Sequence, residues 1–180
     1  MRVAGVLLAA GASRRFGAAD KLLAPLKGSP LVAHAARAMA GLPLRIAVTS
    51  SDPVAQVLAA EGVGILCILP GQGQSASLRA AVLSVPAEAT HLLVMLGDMP
   101  FVTADDLAVL LAADPAIPHC AVQGGVPQPP ALFPKAWWPQ LLALGGDQGA
   151  GRILRGLGPA SCHRLPAASL RDIDLPADLP

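Results

Sequence analysis

The chain reads as an α/β protein with a mostly parallel sheet between two helix layers, and three observations lead there. Short apolar runs recur along the sequence, each bounded by Gly, Pro, Ser or Asp, which is the mark of strands buried on both faces. Between them lie segments whose apolar residues return every three or four positions, as helices require. The composition, 53% hydrophobic against 14% charged over 180 residues, provides core enough to cover a sheet on both sides and excludes a disordered chain.

Taken in order, "VAGVLLA" from Val3 is the first strand and "LVAHAARAMA" from Leu31 the first helix. A second strand, "LRIAVTS" from Leu44, leads into "DPVAQVLAAE", a helix with Asp52 as N-cap and Pro53 at its first position, where the missing N–H costs nothing. "GILCIL" from Gly64 precedes the helix "SLRAAVLSV", and "HLLVML" from His91 precedes "ADDLAVLLA", which Thr103 caps with acids in the first turn. Strand then helix, repeated, implies parallel pairing through right-handed crossovers, a Rossmann-like three-layer arrangement. After Asp114 the rhythm breaks into Pro- and Gly-rich text, read as a hairpin and short helices rather than a second domain. A chain of this length is expected to fold as one domain, 1–180.

A formal charge of +1 gives no global attraction for nucleic acid or an anionic membrane, so any anion site has to be local. No apolar run reaches the roughly 18 residues of a membrane span. Arg2 followed by "VAGVLLAAGA" imitates a secretory signal, yet cleavage near Ala12 would discard the first strand, so a cytoplasmic protein is expected. Cys67, Cys120 and Cys162 are odd in number and far apart, which indicates buried small hydrophobes in a reducing compartment rather than a disulfide framework or a metal knuckle. His34, His91, His119 and His163 have no mutual metal spacing and are expected to be structural or surface residues.

Ligands of open α/β sheets bind outside the carboxyl ends of the strands, which directs attention to the stretch after the first strand, "LLAAGASRRFGAADK". Gly11 and Gly17 permit close backbone approach, Ser13 adds a hydroxyl, and successive N–H groups could form an anion nest. Arg15 and Lys21, on the same loop, would supply charge against a triphosphate. There is no Gly-Lys-Ser/Thr, so a P-loop is not implied. "GQGQSA" from Gly71 passes a loose dinucleotide pattern but follows the third strand rather than the first. It fits better as a helix start, with Gly73 and with Ser75 and Ser77 capping and touching a nucleotide. Asp98, in "LGDMP" at the end of the fourth strand, is either a turn residue or a carboxylate for Mg²⁺, an ion that takes one or two carboxylates together with substrate phosphates. Asp174, in "RDIDLPADL", is either a solvated C-terminal turn or a further such carboxylate. At least one of Trp137 and Trp138 is expected to pack under a loop, while an exposed indole could stack on a planar ligand.

Three of these segments together resemble the MobA-like nucleotidyltransferases: "LAAGASRRFGAADKLL" is similar to their first-loop signature, "GDMPFVTADDL" to their metal-binding turn and "DIDLPADL" to their closing motif. The resemblance runs from Val3 nearly to Leu179. It implies a nucleotidyltransferase fold of the glycosyltransferase-A-like kind, with 1–114 binding the nucleotide and 115–170 the acceptor. "GDQGAG" from Gly146 and the reading Leu8, Ala9, Ala10, Gly11 resemble the molybdenum cofactor cytidylyltransferase branch, which implies CTP as donor and molybdopterin as acceptor. On that basis Arg15, Lys21 and Asp98 are the expected catalytic residues, and Asp98 and Asp174 hold Mg²⁺. The nucleotide is expected on Leu8, Ala9, Ala10, Gly11, Ser13, Arg15, Gly17, Lys21, Gly73, Ser75, Ser77 and Gly97, and the acceptor on Pro130, Asp147, Gly149 and Arg152. The implied partners are CTP, a molybdopterin-type substrate and a target molybdoenzyme or its chaperone, with no nucleic acid and no membrane. The sequence departs from the family where the acceptor binds: Val126 stands for an arginine, Pro129 for a histidine, and Gly151 for an arginine displaced to Arg152. Those departures leave two alternatives: transfer to another phosphorylated small molecule from GTP or to a sugar phosphate, and a non-catalytic carrier of a finished cofactor.

Overall fold

A computed structural model describes residues 1–11, 16, 20–146 and 149–179. Strand β1 (Val3–Ala9) is followed by a miniature hairpin, β2 (Pro25–Leu26) and β3 (Ser29–Pro30), and helix α1 (Leu31–Ala38). Then come β4 (Leu44–Thr49), α2 (Asp52–Ala60), β5 (Gly64–Cys67), α3 (Gln74–Ser84), β6 (His91–Leu96) and α4 (Ala104–Leu111). The remainder comprises β7 (His119–Gln123), β8 (Val126–Pro134), α5 (Trp138–Leu142), α6 (Gly151–Leu154) and β9 (Cys162–Arg164). Every strand and helix expected before Asp114 is present, with ends shifted by a few residues. At α2 the cap is Ser51, which places Asp52 at the first helical position and Pro53 at the second. At α4 the expected cap holds: the Asp106 N–H donates to Thr103 Oγ1 (3.2 Å) and the Thr103 N–H to Asp106 Oδ2 (2.9 Å).

The main sheet has the order β5-β4-β1-β6-β8-β7-β9. β5, β4, β1 and β6 are mutually parallel, β8 runs against both of its neighbours, and β7 and β9 again point the same way as β1. The chain winds outward from β1 through β4 to β5 and then crosses back to place β6 on the other side of β1. This reversal opens a crevice at the carboxyl ends of β1 and β6, where the two exit loops part.

Alternation along the strands divides the core. Leu7, Ala9, Ala47, Leu93 and Met95 face the layer of α1, α2 and α4, whereas Ala4, Val6, Ile46, Val48, Leu92 and Val94 face that of α3, α5 and α6. Gly5 is the close approach on the first side: a Cβ there would lie 2.6 Å from Leu42 Cδ1 and 3.1 Å from Met39 Sδ. The Pro- and Gly-rich stretch is a hairpin, as expected. Its turn, Gly124-Gly125, has φ of 57° and 82°, the pair of positive angles a two-residue type I′ turn needs. Cys120 pairs with Ala131 but Ala121 with Gln128, so Pro129 and Pro130, joined by a cis bond, bulge from the ladder to which neither can donate.

The histidines are structural, as expected. His34 Nε2 lies 2.7 Å from the Leu26 carbonyl, His91 Nε2 lies 2.9 Å from that of Pro115, and His119 and His163 face each other at 2.9 Å across β7 and β9. Desolvation, and then the neighbouring His119, hold His163 below the usual histidine value. Trp138 is buried and donates through Nε1 to the Phe133 carbonyl (3.4 Å). The expectation of buried cysteines holds for Cys120 but not for Cys67, which is exposed because β5 is an edge strand. Among the described residues no helix is long and apolar enough to cross a membrane.

Candidate functional site

The crevice beside β1 and β6 collects three charged side chains that lie far apart in sequence. Lys21, expected on a loop, opens a 3-10 turn over Lys21–Leu23, which Asp20 caps by accepting from the Leu22 N–H (3.0 Å). Its ammonium meets Asp98 Oδ2 at 2.7 Å and Asp174 Oδ1 at 2.8 Å. Burial pulls the Lys21 pKa down, but Asp98 and Asp174 together outweigh that, and the net shift is upward. Lys21 is therefore a cation throughout the neutral range.

Asp98 reaches this point because β6 ends against β1. The Gly97 N–H donates to the Leu8 carbonyl (2.9 Å), and a Cβ at Gly97 would press on Ala9 Cβ at 3.3 Å and Leu22 Cδ2 at 3.4 Å. Glycine thus lets the strand end seat directly over the first turn. Asp174 arrives from the other end of the chain. The Ile173 N–H donates to the Asp98 carbonyl (3.1 Å), and fully buried Ile173 anchors the segment in the core beside α4.

A residue the sequence reading missed holds that segment. Asp178 Oδ2 accepts from the N–H groups of Leu175 (2.7 Å) and Asp174 (2.9 Å), which keeps its carboxyl below the usual carboxylate range. Arg171 donates to the Asp178 carbonyl (2.8 Å) and lies over the Phe101 ring at 4.8 Å. The spacing of an acid four residues after Asp174, across a Leu-Pro, is the signal that could have revealed it. Asp172 sits close by, its pKa raised by desolvation and then by the negative charges of Asp98 and Asp174, with Lys21 opposing.

The carboxylate pair is suited to a hard divalent cation. Asp98 Oδ1 is buried with no hydrogen-bond partner among the described residues, and the Asp174 side chain is 49% exposed, so each can offer an oxygen. No group of three or more His, Cys, Asp or Glu with metal-binding geometry occurs among the described residues, so bound phosphates would have to complete the coordination.

Of the other candidates, Leu8, Ala9 and Ala10 line the end of β1, with Leu8 and Ala10 half-buried and Gly11 exposed. Ser13, Arg15, Gly17 and Asp147 lie outside the described residues. The start of α3 differs from expectation. Gly73 is its N-cap, without a side-chain cap bond, and Ser75 and Ser77 are 5% and 4% exposed. Ser75 donates instead to the Gly146 carbonyl (2.5 Å), and Gly149 closes on Gln74, where a Cβ would fall 2.3 Å from Oε1. Ser75 therefore ties α3 to Gly146 rather than capping the helix, and Ser77 is buried. Pro130 is buried in β8, which leaves it shaping the strand, and Arg152 is exposed on α6.

Comparisons with known proteins bear on the fold that carries this site. Residues 5–164 match a family described as the MobA-like NTP transferase domain. The purine catabolism protein PucB of Bacillus subtilis is 29% identical over 97% of this chain and 92% of its own length. Among solved structures, the Rv0371c homolog from Mycobacterium sp. strain JC1 is 30% identical, with a TM-score of 0.83 over 98% of this chain and 92% of that one. Rv0371c from Mycobacterium tuberculosis H37Rv is 26% identical, with a TM-score of 0.84 over 98% and 95%.

Proposed function

The chain belongs to the MobA-like NTP transferase domain family, and on that premise we propose that it transfers CMP from CTP to the terminal phosphate of a molybdopterin-type pterin. The observation that carries this reading is the convergence of Lys21 on Asp98 and Asp174 at the crevice between β1 and β6. In the reaction an oxygen of the acceptor phosphate attacks the α-phosphorus of CTP. A new phosphoanhydride bond forms as the α–β anhydride bond breaks, and pyrophosphate leaves.

The attacking oxygen is already anionic, so no strong general base is required, and the protein contributes alignment and charge. Asp98 and Asp174 are the residues that would hold Mg²⁺, which would supply positive charge against the substrate phosphates. Lys21, fixed by its capped turn, offsets charge on the leaving pyrophosphate, joined by Arg15 from the first-strand loop. In this reading residues 1–114 bind the nucleotide and 115–170 the acceptor. The sequence Leu8, Ala9, Ala10, Gly11 supports CTP as the donor.

Val126, Pro129 and Gly151, which replace the family's usual acceptor-side residues, favour a second reading in which the acceptor is a different phosphorylated small molecule. The test is pyrophosphate release with CTP and a pterin-phosphate acceptor, for wild type and Asp98→Asn, across a magnesium titration. Asn keeps the size of the side chain and loses its charge, so turnover should fall on the order of 100-fold or more while nucleotide affinity changes little. If wild type releases no more pyrophosphate than Asp98→Asn with any acceptor and still binds the finished cofactor, the protein is a carrier.

A further inference from the structure

One ammonium already bridges the two carboxylates that suit a metal ion. Lys21 Nζ lies 2.7 Å from Asp98 Oδ2 and 2.8 Å from Asp174 Oδ1, and its side chain is only 13% exposed. Asp98 Oδ1 stays buried with no partner among the described residues, so the pair is neutralised on one side and unsatisfied on the other. A divalent cation arriving past half-exposed Asp174 would meet the ammonium at close range. Like charges gathered on the same two carboxylates repel, and partial burial limits the screening that water and salt provide. The pair therefore has the oxygens for a metal but holds a cation that opposes it.

That cation can move without disturbing the fold. The backbone of Lys21 is fixed in its turn, where the Leu22 N–H donates to Asp20 Oδ1 (3.0 Å), the Ala24 N–H donates to the Lys21 carbonyl (3.1 Å) and Leu22 is buried. The charge, by contrast, sits at the end of a flexible methylene stem. Its turn stands at the rim where β1 and β6 end, which is where an anionic ligand of such a sheet arrives. A polyphosphate there competes with Asp98 and Asp174 for the ammonium. Once the ammonium leaves, the two carboxylates face each other uncompensated and draw in another cation.

Resting on the transferase reading above, we propose that Lys21 is a built-in counterion, which closes Asp98 and Asp174 to divalent cations in the free protein and opens them when a polyphosphate takes its ammonium. Nucleotide and metal then bind cooperatively, each raising the affinity of the other by the same factor. Lys21 sets the order of binding as well as supplying charge: the metal enters with the nucleotide, and the free protein is not preloaded.

Manganese tests this without nucleotide or turnover, read by the electron paramagnetic resonance of free Mn²⁺. Nucleotide-free wild type should bind Mn²⁺ weakly. Lys21→Met, which keeps the stem and removes the charge, should bind it about tenfold more tightly or better, and adding Asp98→Asn should abolish that gain. Lys21→Arg, which keeps the charge, should stay with wild type. Melting gives a second readout: Mn²⁺ should raise the Tm of Lys21→Met and leave that of wild type unchanged. The handover is read in wild type from the Lys21 Nζ resonance, assigned by its loss in Lys21→Arg, which CTP in EDTA should shift. Equal Mn²⁺ affinity in wild type and Lys21→Met, tight stoichiometric Mn²⁺ binding by nucleotide-free wild type, or an Nζ resonance unmoved by bound CTP would each overturn the proposal, and the last two need no folded Lys21→Met. Tighter Mn²⁺ binding by Lys21→Met, in a protein that binds CTP yet transfers to no acceptor, would keep the counterion and remove the transferase reading. Transfer by wild type with equal Mn²⁺ affinities would remove the counterion and leave the transferase intact.

Discussion

Lys21 shows how one side chain can join distant parts of the chain. Its Nζ bridges carboxylates 77 and 153 residues away in sequence, and its side chain is 13% exposed. Removing it leaves Asp98 and Asp174 without their shared cation, so the loop position expected from sequence, at which a substitution would hardly affect stability, does not describe it. Lys21→Ala should weaken CTP binding by about 1–3 kcal/mol, measured by calorimetry, through loss of a charge-assisted contact. It should also lower stability by about 1–2 kcal/mol, less than a fully buried pair because Asp174 remains half exposed. The pH dependence follows from the raised pKa. With the carboxylates ionised, the stabilisation is present below the ordinary lysine value of 10.5 and is lost as pH rises through the higher folded value, so from neutral pH upward the wild-type and Lys21→Ala melting curves should converge only in strong alkali.

At the level of elements, the C-terminal segment matters most because Asp174 belongs to no helix or strand. Its position depends on Ile173 in the core and on Asp178 gathering two backbone N–H groups. Asp178→Ala should leave Asp174 chemically intact but less well placed. We expect the magnesium concentration for half-maximal activity to rise about tenfold, with kcat at saturating metal little changed. An unchanged metal titration would show that Ile173 alone orients the segment. Since the folded pKa of Asp178 lies below 3.8, its contribution is present above that value and fades as pH falls through the lower one. At α4 the Thr103–Asp106 box is purely structural. Thr103→Ala should cost about 1 kcal/mol and lower Tm by roughly 2–4 °C, with activity at 25 °C unchanged.

For the molecule as a whole, the reversal of strand order around β1 gathers the first-strand exit, Asp98 and the C-terminal segment at one rim. A ligand bound there draws on contacts from both ends of the chain and stabilises the native state by mass action. Saturating CTP with Mg²⁺, at about 100 times its Kd, should add about 2.7 kcal/mol, or roughly 5–10 °C in Tm for a domain of this size. GTP should give a smaller shift at equal concentration. An equal or larger shift with GTP would count against the cytidylyl assignment.

The two-faced sheet was legible because burial on both sides leaves a periodic trace in a single sequence: each strand is a short apolar run, and each helix an apolar stripe. Asp98 was legible for a related reason, being the first carboxylate after such a run. Asp178, the tie between Ser75 and Gly146, and the exposure of Cys67 were not, because each depends on which element lies beside which. Composition and spacing determined that this chain folds as strand and helix in alternation and carries acids and a lysine at strand exits. Strand order and the packing of the C-terminal segment, long-range properties with no local period, decided that Lys21, Asp98 and Asp174 meet at one point.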